Sequence, residues 1–131
     1  TIIFHPEVVD NIDELIKKIK QKKKKVGLAL KPETKVKEIK DYLKSVDYVL
    51  ILTVHPGFYG AKFLSAPLRK IKQIKKINPK IKVIVDGGMN PKTIQKAVKA
   101  GGDYFVSGSF VTKAENPREK IKSLMNSIKS K

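Results

Sequence analysis

The sequence predicts an α/β fold: five consecutive βα units with parallel strands, a section of a (β/α)8 or TIM barrel rather than a complete one. Three observations predict it. Five continuously apolar runs alternate with segments whose apolar residues recur at helical spacing, the pattern of strands buried on both faces and connected by crossover helices. No hairpin signal interrupts the alternation, so the sheet is parallel. Glycine-containing turns follow the last three strand-like runs, and in β/α barrels the site lies at that edge, with phosphate often held after the last two strands. Periodicity alone leaves an open doubly wound sheet possible; the placement of the turns favours the barrel. The 131 residues suffice for one cored domain, commonly ~100–150 residues, yet fall short of the ~200 of a whole barrel. Residues 1–131 are therefore expected to be a single incomplete barrel domain. Because Thr1 runs straight into Ile2-Ile3-Phe4, the sequence reads as starting inside a domain.

Each element follows from its pattern. Ile2 to Phe4 is the first strand, and Ile12, Leu15, Ile16 and Ile19 mark a helix with one buried stripe. Lys22 to Lys25 stand at its end, where cations are favourable against the helix dipole. Val26 to Leu30 is the second strand, followed by a helix stripe of Val36, Ile39 and Leu43. Tyr48 to Val54 is the third, with Leu68, Ile71 and Ile74 after it. Ile81 to Val85 is the fourth, with Ile94, Ala97 and Val98 after it. Tyr104 to Val106 is the fifth, and Ile121, Leu124, Met125 and Ile128 give the last helix a buried stripe. Asn90-Pro91 and Asn116-Pro117 place a capping side chain before a first-turn proline, with Glu119 at a capping-box position. Gly101-Gly102 closes a helix before the last strand.

Composition narrows the function classes. Without cysteine there is no disulfide framework and no thiolate nucleophile or ligand. No apolar run reaches the ~20 residues that span a bilayer, so a soluble cytoplasmic protein is expected. The formal charge of +17 invites a nucleic-acid reading. Against it, only Arg69 and Arg118 carry the planar fork that base and phosphate recognition favour, and aromatic residues do not interleave with the lysines. Solvated helix faces account better for the charge.

The residues that carry chemistry fall after the strands. Gly57 and Gly60 follow the third, Asp86-Gly87-Gly88 the fourth, and Ser107-Gly108-Ser109 the fifth. Glycine permits close approach and positive φ, so such turns can aim backbone N–H groups at one anion. Taken singly each is ordinary turn chemistry; their joint placement points to phosphate. Asp86 ends the run Val83-Ile84-Val85 with no backbone reason to be acidic, which makes it the candidate catalytic carboxylate. His5, with Glu7, closes the first strand and His55 the third. They are expected to line the pocket rim, and a metal trio of His5, His55 and Asp86 is a less favoured alternative.

Together the segments Ile3-Phe4-His5-Pro6-Glu7, Leu52-Thr53-Val54-His55-Pro56-Gly57-Phe58-Tyr59-Gly60-Ala61-Lys62-Phe63, Val85-Asp86-Gly87-Gly88-Met89-Asn90 and Val106-Ser107-Gly108-Ser109 resemble the ribulose-phosphate 3-epimerase family. The resemblance runs over essentially the whole chain and assigns its strands to strands four to eight of that barrel. It implies epimerisation at C3 of a ketose 5-phosphate through an enediolate, with a divalent metal (Zn, Fe, Mn or Co) as cofactor. By the same resemblance Asp86 is acid or base and a metal ligand, and Gly57, Phe58, Tyr59 and Gly60 form a loop over the substrate. Gly87, Gly88, Gly108 and Ser109 bind the phosphate, and His5 lines the pocket. The family's first three strands bring a second catalytic Asp, two metal-binding His and a substrate-binding Ser, none of which this chain supplies. Tyr59, Ala61 and Leu52 stand where the family usually has Gly, Gln and Met. The resemblance thus implies a phosphorylated ketose as partner, together with either an N-terminal barrel segment or a homo-oligomer. Alternatives are an epimerase of a hexulose 6-phosphate, a non-catalytic sugar-phosphate binder and, least favoured, a basic nucleic-acid binder.

Overall fold

Strand order decides between the two parallel architectures. A computed structural model describes residues 1–57 and 61–130. Its strands β1 (Ile2–Phe4), β2 (Val26–Leu30), β3 (Tyr48–Leu52), β4 (Lys82–Asp86) and β5 (Tyr104–Val106) form one sheet in the order β1-β2-β3-β4-β5, all pairs parallel. Every crossover advances one strand in the same direction. Right-handed connections then put all the crossovers on one face, as in a barrel, whereas a doubly wound sheet reverses direction at a switch point.

Among the described residues five α-helices accompany the strands: α1 (Ile12–Gln21), α2 (Arg69–Ile77), α3 (Pro91–Lys99), α4 (Ser109–Thr112) and α5 (Pro117–Lys129). Ile16 and Ile19 of α1, Ile71 and Ile74 of α2, and Ile94 and Ala97 of α3 are buried in one cluster with Val49, Ile51, Val83 and Val85. Burying each large aliphatic side chain contributes about 1.5–3 kcal/mol. The cluster therefore fixes which face of each strand meets the helices.

The opposite face is more open than the apolar runs suggest. β2 is buried along its whole length, but in β3 and β4 burial alternates. Tyr48, Leu50, Leu52, Ile84 and Asp86 are half-buried on the side away from the helices, while Tyr104 and Val106 of β5 are 51% and 42% exposed. The expectation of strands buried on both faces therefore holds for β2 alone. The stripe of α5 is corrected likewise. Leu124 is buried, but Ile121 and Met125 are each 49% exposed, because α5 follows the edge strand and packs mainly on α3 and α4.

Local departures have local causes. Val36, Ile39 and Leu43 are buried as expected, but in place of an α-helix there are two 3-10 turns, Val36–Glu38 followed by Ile39 and Lys40–Tyr42 followed by Leu43. The three-residue step from Val36 to Ile39 fits a 3-10 turn as well as an α-turn. β3 ends at Leu52, two residues before its apolar run does. The Asn90 side chain accepts from the N–H groups of Lys92 and Thr93, and that of Asn116 from Glu119, as predicted; the reciprocal capping box, expected from Glu119, forms instead at α3, where Thr93 Oγ1 accepts from Asn90 N–H. Gly101, at φ +99°, and Gly102 donate back to Val98 and Ala97 and close α3.

One device repeats at the N-terminal edge. The Asp47 carboxylate accepts from Val26 N–H at 3.0 Å while Asp47 N–H donates to Val26 at 2.8 Å. Asp103 makes the same exchange with Val83, at 2.8 and 2.9 Å. The residue before β3 thus ties the start of β2, and the residue before β5 ties the start of β4.

Candidate active site

The chemistry gathers at the C-terminal ends of β3, β4 and β5. Asp86 is the last residue of β4, and its position in the alternation sets its side chain on the face away from the helices. It is half-buried, and burial pushes its carboxyl above the ordinary 3.8, because desolvation disfavours the charged form. Such a group can hold or release a proton closer to neutrality than an exposed aspartate.

The turn after it is shaped by two glycines. Gly87 has φ +128° and Gly88 φ +66°. A Cβ at Gly87 would lie 2.8 Å from Val54 Cγ2, and one at Gly88 would lie 3.0 Å from Phe63 Cβ. Both positions demand glycine, for backbone conformation and for space.

Three hydroxyls surround this turn. Thr53 has no solvent exposure. Its N–H donates to the Asp86 carbonyl at 2.8 Å, and its Oγ1 lies 2.6 Å from the Gly87 carbonyl oxygen and 3.1 Å from that of Asp86. Thr93 Oγ1 donates to the Gly88 carbonyl at 2.7 Å, and Ser107 Oγ to that of Met89 at 3.2 Å. In the sequence these residues are legible only as parts of turns and caps. The available signal is a threonine one residue before the end of an otherwise apolar strand run.

A cleft of about 500 Å³ opens beside the turn, lined by Gly88, Met89, Asn90, Gly108, Ser109, Phe110 and Lys113. The structure therefore brings together the turns after β4 and β5, as their shared edge predicts. Gly108 differs from the other two glycines in having φ −93°, and it leads into α4 at Ser109. Gly57 has φ +92° with open space around it. Phe58, Tyr59 and Gly60 lie outside the described residues. A larger cleft, about 560 Å³, opens at the opposite edge among Lys25, Lys44, Asp47, Tyr48, Lys80 and Lys82. Its one carboxylate, Asp47, already accepts the Val26 N–H, so the glycine-turn edge is the better place for proton chemistry.

The histidines face other partners. His5 Nδ1 is buried, has no hydrogen-bond partner among the described residues and lies 3.6 Å from Glu7 Oε1. Glu7 in turn pairs with Lys31 at 3.1 Å. Burial raises the Glu7 carboxyl, but its own backbone N–H and Lys31 outweigh that and leave it below the usual range. His55 is exposed, with Nδ1 4.0 Å from Glu33. Lys70 of α2 donates to the carbonyls of Lys31 at 2.8 Å and Pro32 at 2.9 Å, holding the loop after β2. Burial lowers the Lys70 ammonium pKa, and Glu33 and Glu38 oppose that shift.

The trio of His5, His55 and Asp86 does not assemble. Among the described residues no group of three or more His, Asp and Glu side chains could hold a metal ion. Asp86 offers a single carboxylate, whereas divalent ions take four or more ligands. These residues alone do not form a metal cradle.

A sequentially ordered parallel sheet, with glycine turns and a half-buried carboxylate at the C-terminal strand ends, defines a β/α-barrel protein. The model of the ribulose-phosphate 3 epimerase family matches residues 1–112, and the chain belongs to that family. It is 38% identical to the ribulose-phosphate 3-epimerase of Schizosaccharomyces pombe over 95% of this chain and 55% of that protein. It is 40% identical to the cytoplasmic isoform of Oryza sativa subsp. japonica over 95% of this chain and 57% of that one. The chain thus spans a little over half the length of these curated relatives. Among solved structures, orotidine 5'-monophosphate decarboxylase from Sulfolobus solfataricus superposes with TM-score 0.72 at 20% identity, over 97% of this chain and 60% of that one. A 3-hexulose-6-phosphate synthase superposes with TM-score 0.71 at 21% identity, over 96% and 60%. At those identities the structures speak to the fold, a partial barrel. No helix among the described residues is long and apolar enough to cross a membrane.

Proposed function

We propose that this protein is a cytoplasmic isomerase that inverts C3 of a phosphorylated ketose, converting D-ribulose 5-phosphate to D-xylulose 5-phosphate. The observation that carries the reading is Asp86, a half-buried carboxylate with a raised pKa beside the Gly87-Gly88 turn in a chain of this family. Asp86 transfers the C3 proton on one face of the sugar. The N–H groups of Gly87 and Gly88, with Gly108 and Ser109 across the cleft, hold the phosphate. Gly57 to Gly60 belong to the loop over the substrate, and His5 and His55 to the rim. Epimerisation needs a second acid or base on the other face, so the activity belongs to a complete barrel. Further βα units, or another copy of the chain, are proposed to close the open face. The divalent ion that the family implies finds one donor, Asp86, among the described residues, too few to hold it.

The second reading is a sugar-phosphate binder without catalysis, favoured by the single carboxylate. Exchange of the C3 proton of ribulose 5-phosphate with deuterated solvent separates the two. The epimerase reading expects exchange by the complete barrel, and a loss of about 10²–10⁴-fold on Asp86→Asn with phosphate binding retained. Binding without exchange establishes the binder. Loss of phosphate binding in Asp86→Asn would make Asp86 structural.

A further inference from the structure

Four consecutive carbonyls of the β4 turn are each accounted for. Asp86 accepts from Thr53 N–H at 2.8 Å, Gly87 from Thr53 Oγ1 at 2.6 Å, Gly88 from Thr93 Oγ1 at 2.7 Å and Met89 from Ser107 Oγ at 3.2 Å. The hydroxyls come from three different elements: the end of β3, the first turn of α3 and the end of β5. In a planar trans peptide the C=O and the following N–H point in opposite directions. Drawing the carbonyls of residues 86, 87 and 88 toward Thr53 and Thr93 therefore turns the Gly87 N–H toward β5, where Asp86 pairs with Val106, and the N–H groups of Gly88 and Met89 away from the two threonines. The next N–H, of Asn90, is taken by Thr93 Oγ1 at 2.9 Å, which ends the series where α3 begins.

We infer that Thr53, Thr93 and Ser107 are positioning residues that set the peptide planes of the Asp86–Met89 turn and so aim its amides at an anion. This deepens the proposed function and rests on its phosphate reading. None of the three needs to touch substrate. Glycine makes the choice consequential: with φ free at residues 87 and 88, the turn has other conformations open to it, and the hydroxyls select one. Thr53 does most, since it is wholly buried and its backbone and side chain hold two successive planes. The same grip fixes the backbone of Asp86, so the anion turn and the carboxylate move as one body.

The test uses the full chain and inorganic phosphate as probe. Amide shifts and residual dipolar couplings of Gly87, Gly88 and Met89 report the peptide planes without ligand, and a phosphate titration reports affinity. Thr53→Val removes the hydroxyl at nearly constant shape. It is expected to reorient these amides and to weaken phosphate binding by about 3- to 10-fold, the cost of one misplaced or lost hydrogen bond. Thr53→Ser should restore both. Ser107→Ala and Thr93→Val should act in the same direction. A lowered melting temperature with unchanged couplings and affinity would leave the hydroxyls merely structural and overturn the inference. Should Thr53→Val not fold, the unsubstituted chain decides: a slowly exchanging Thr53 hydroxyl proton supports the inference and a rapidly exchanging one overturns it. If the unsubstituted chain binds no phosphate, the phosphate reading fails by itself, and the couplings still decide whether the hydroxyls orient the turn.

Discussion

Burial sets the charge of Asp86 against the stability of the fold, a conflict that can be measured. Burial raises its pKa above 3.8, so the folded chain holds the proton more tightly than the unfolded chain does. The contribution to stability is fully present below the unfolded pKa and is lost as pH rises through the folded value. At neutral pH the ionised carboxylate is therefore a net cost to folding. Asp86→Asn is expected to raise the melting temperature at pH 7 by about 1–3 °C and to leave it unchanged near pH 3, where both side chains are neutral. Thermal unfolding at the two pH values checks this. A lower melting temperature at pH 7 would mean that the ionised carboxylate has a favourable partner. Asp86 was legible in the sequence because an acid ending Val83-Ile84-Val85 has no packing reason to be there. The hydroxyls that hold its turn were not. Thr53 meets the carbonyls of Asp86 and Gly87 across 33 and 34 residues of chain, and only the β3–β4 register brings them together.

The strand starts depend on a different carboxylate logic. Asp103 holds Val83 N–H and pairs with Lys75 at 2.8 Å. Burial alone would raise its carboxyl, but Lys75 and the Val83 N–H outweigh it and leave the pKa below 3.8. Its contribution is present above the unfolded pKa and is lost as pH falls through the folded value. Asp103→Ala removes both contacts and is expected to cost about 1–2 kcal/mol at pH 7. Asp103→Asn, which can still accept from Val83, should cost less and should flatten the acid limb of the stability curve. Urea unfolding at pH 7 and near pH 3 distinguishes them; equal losses at both values would remove the charge from the account. That an Asp stands just before the Tyr that begins both β3 and β5 could be read from the sequence, but its meaning could not, because each Asp acts on the neighbouring strand. Periodicity located β1, β2 and β5 residue for residue. It could not decide the form of the segment from Val36 to Leu43, where steps of three and four residues bury the same side chains by either helical route.

The assembled sheet leaves apolar surface at its β5 side: Tyr104, Val106, Ile121 and Met125 are all close to half exposed. Strand edges also carry unpaired N–H and C=O groups that template association. Opposing this is a formal charge of +17, which repels like copies at low ionic strength. The two effects respond oppositely to salt. Screening shortens electrostatic reach to about 10 Å at 0.1 M, while apolar burial is little affected. The chain at micromolar concentration is therefore expected to associate more strongly as salt rises from about 20 to 300 mM, as sedimentation velocity would register. Tyr104→Lys with Met125→Lys should abolish that rise by placing charge on the β5 side at residues that do not line the glycine-turn cleft. The same titration judges the nucleic-acid alternative, whose affinity must fall steeply over this range as counterion release loses its advantage. A chain that stays monomeric throughout would mean that the β5 side is already sufficient as a solvent surface, and the proposal that further units or a second copy close it would be lost.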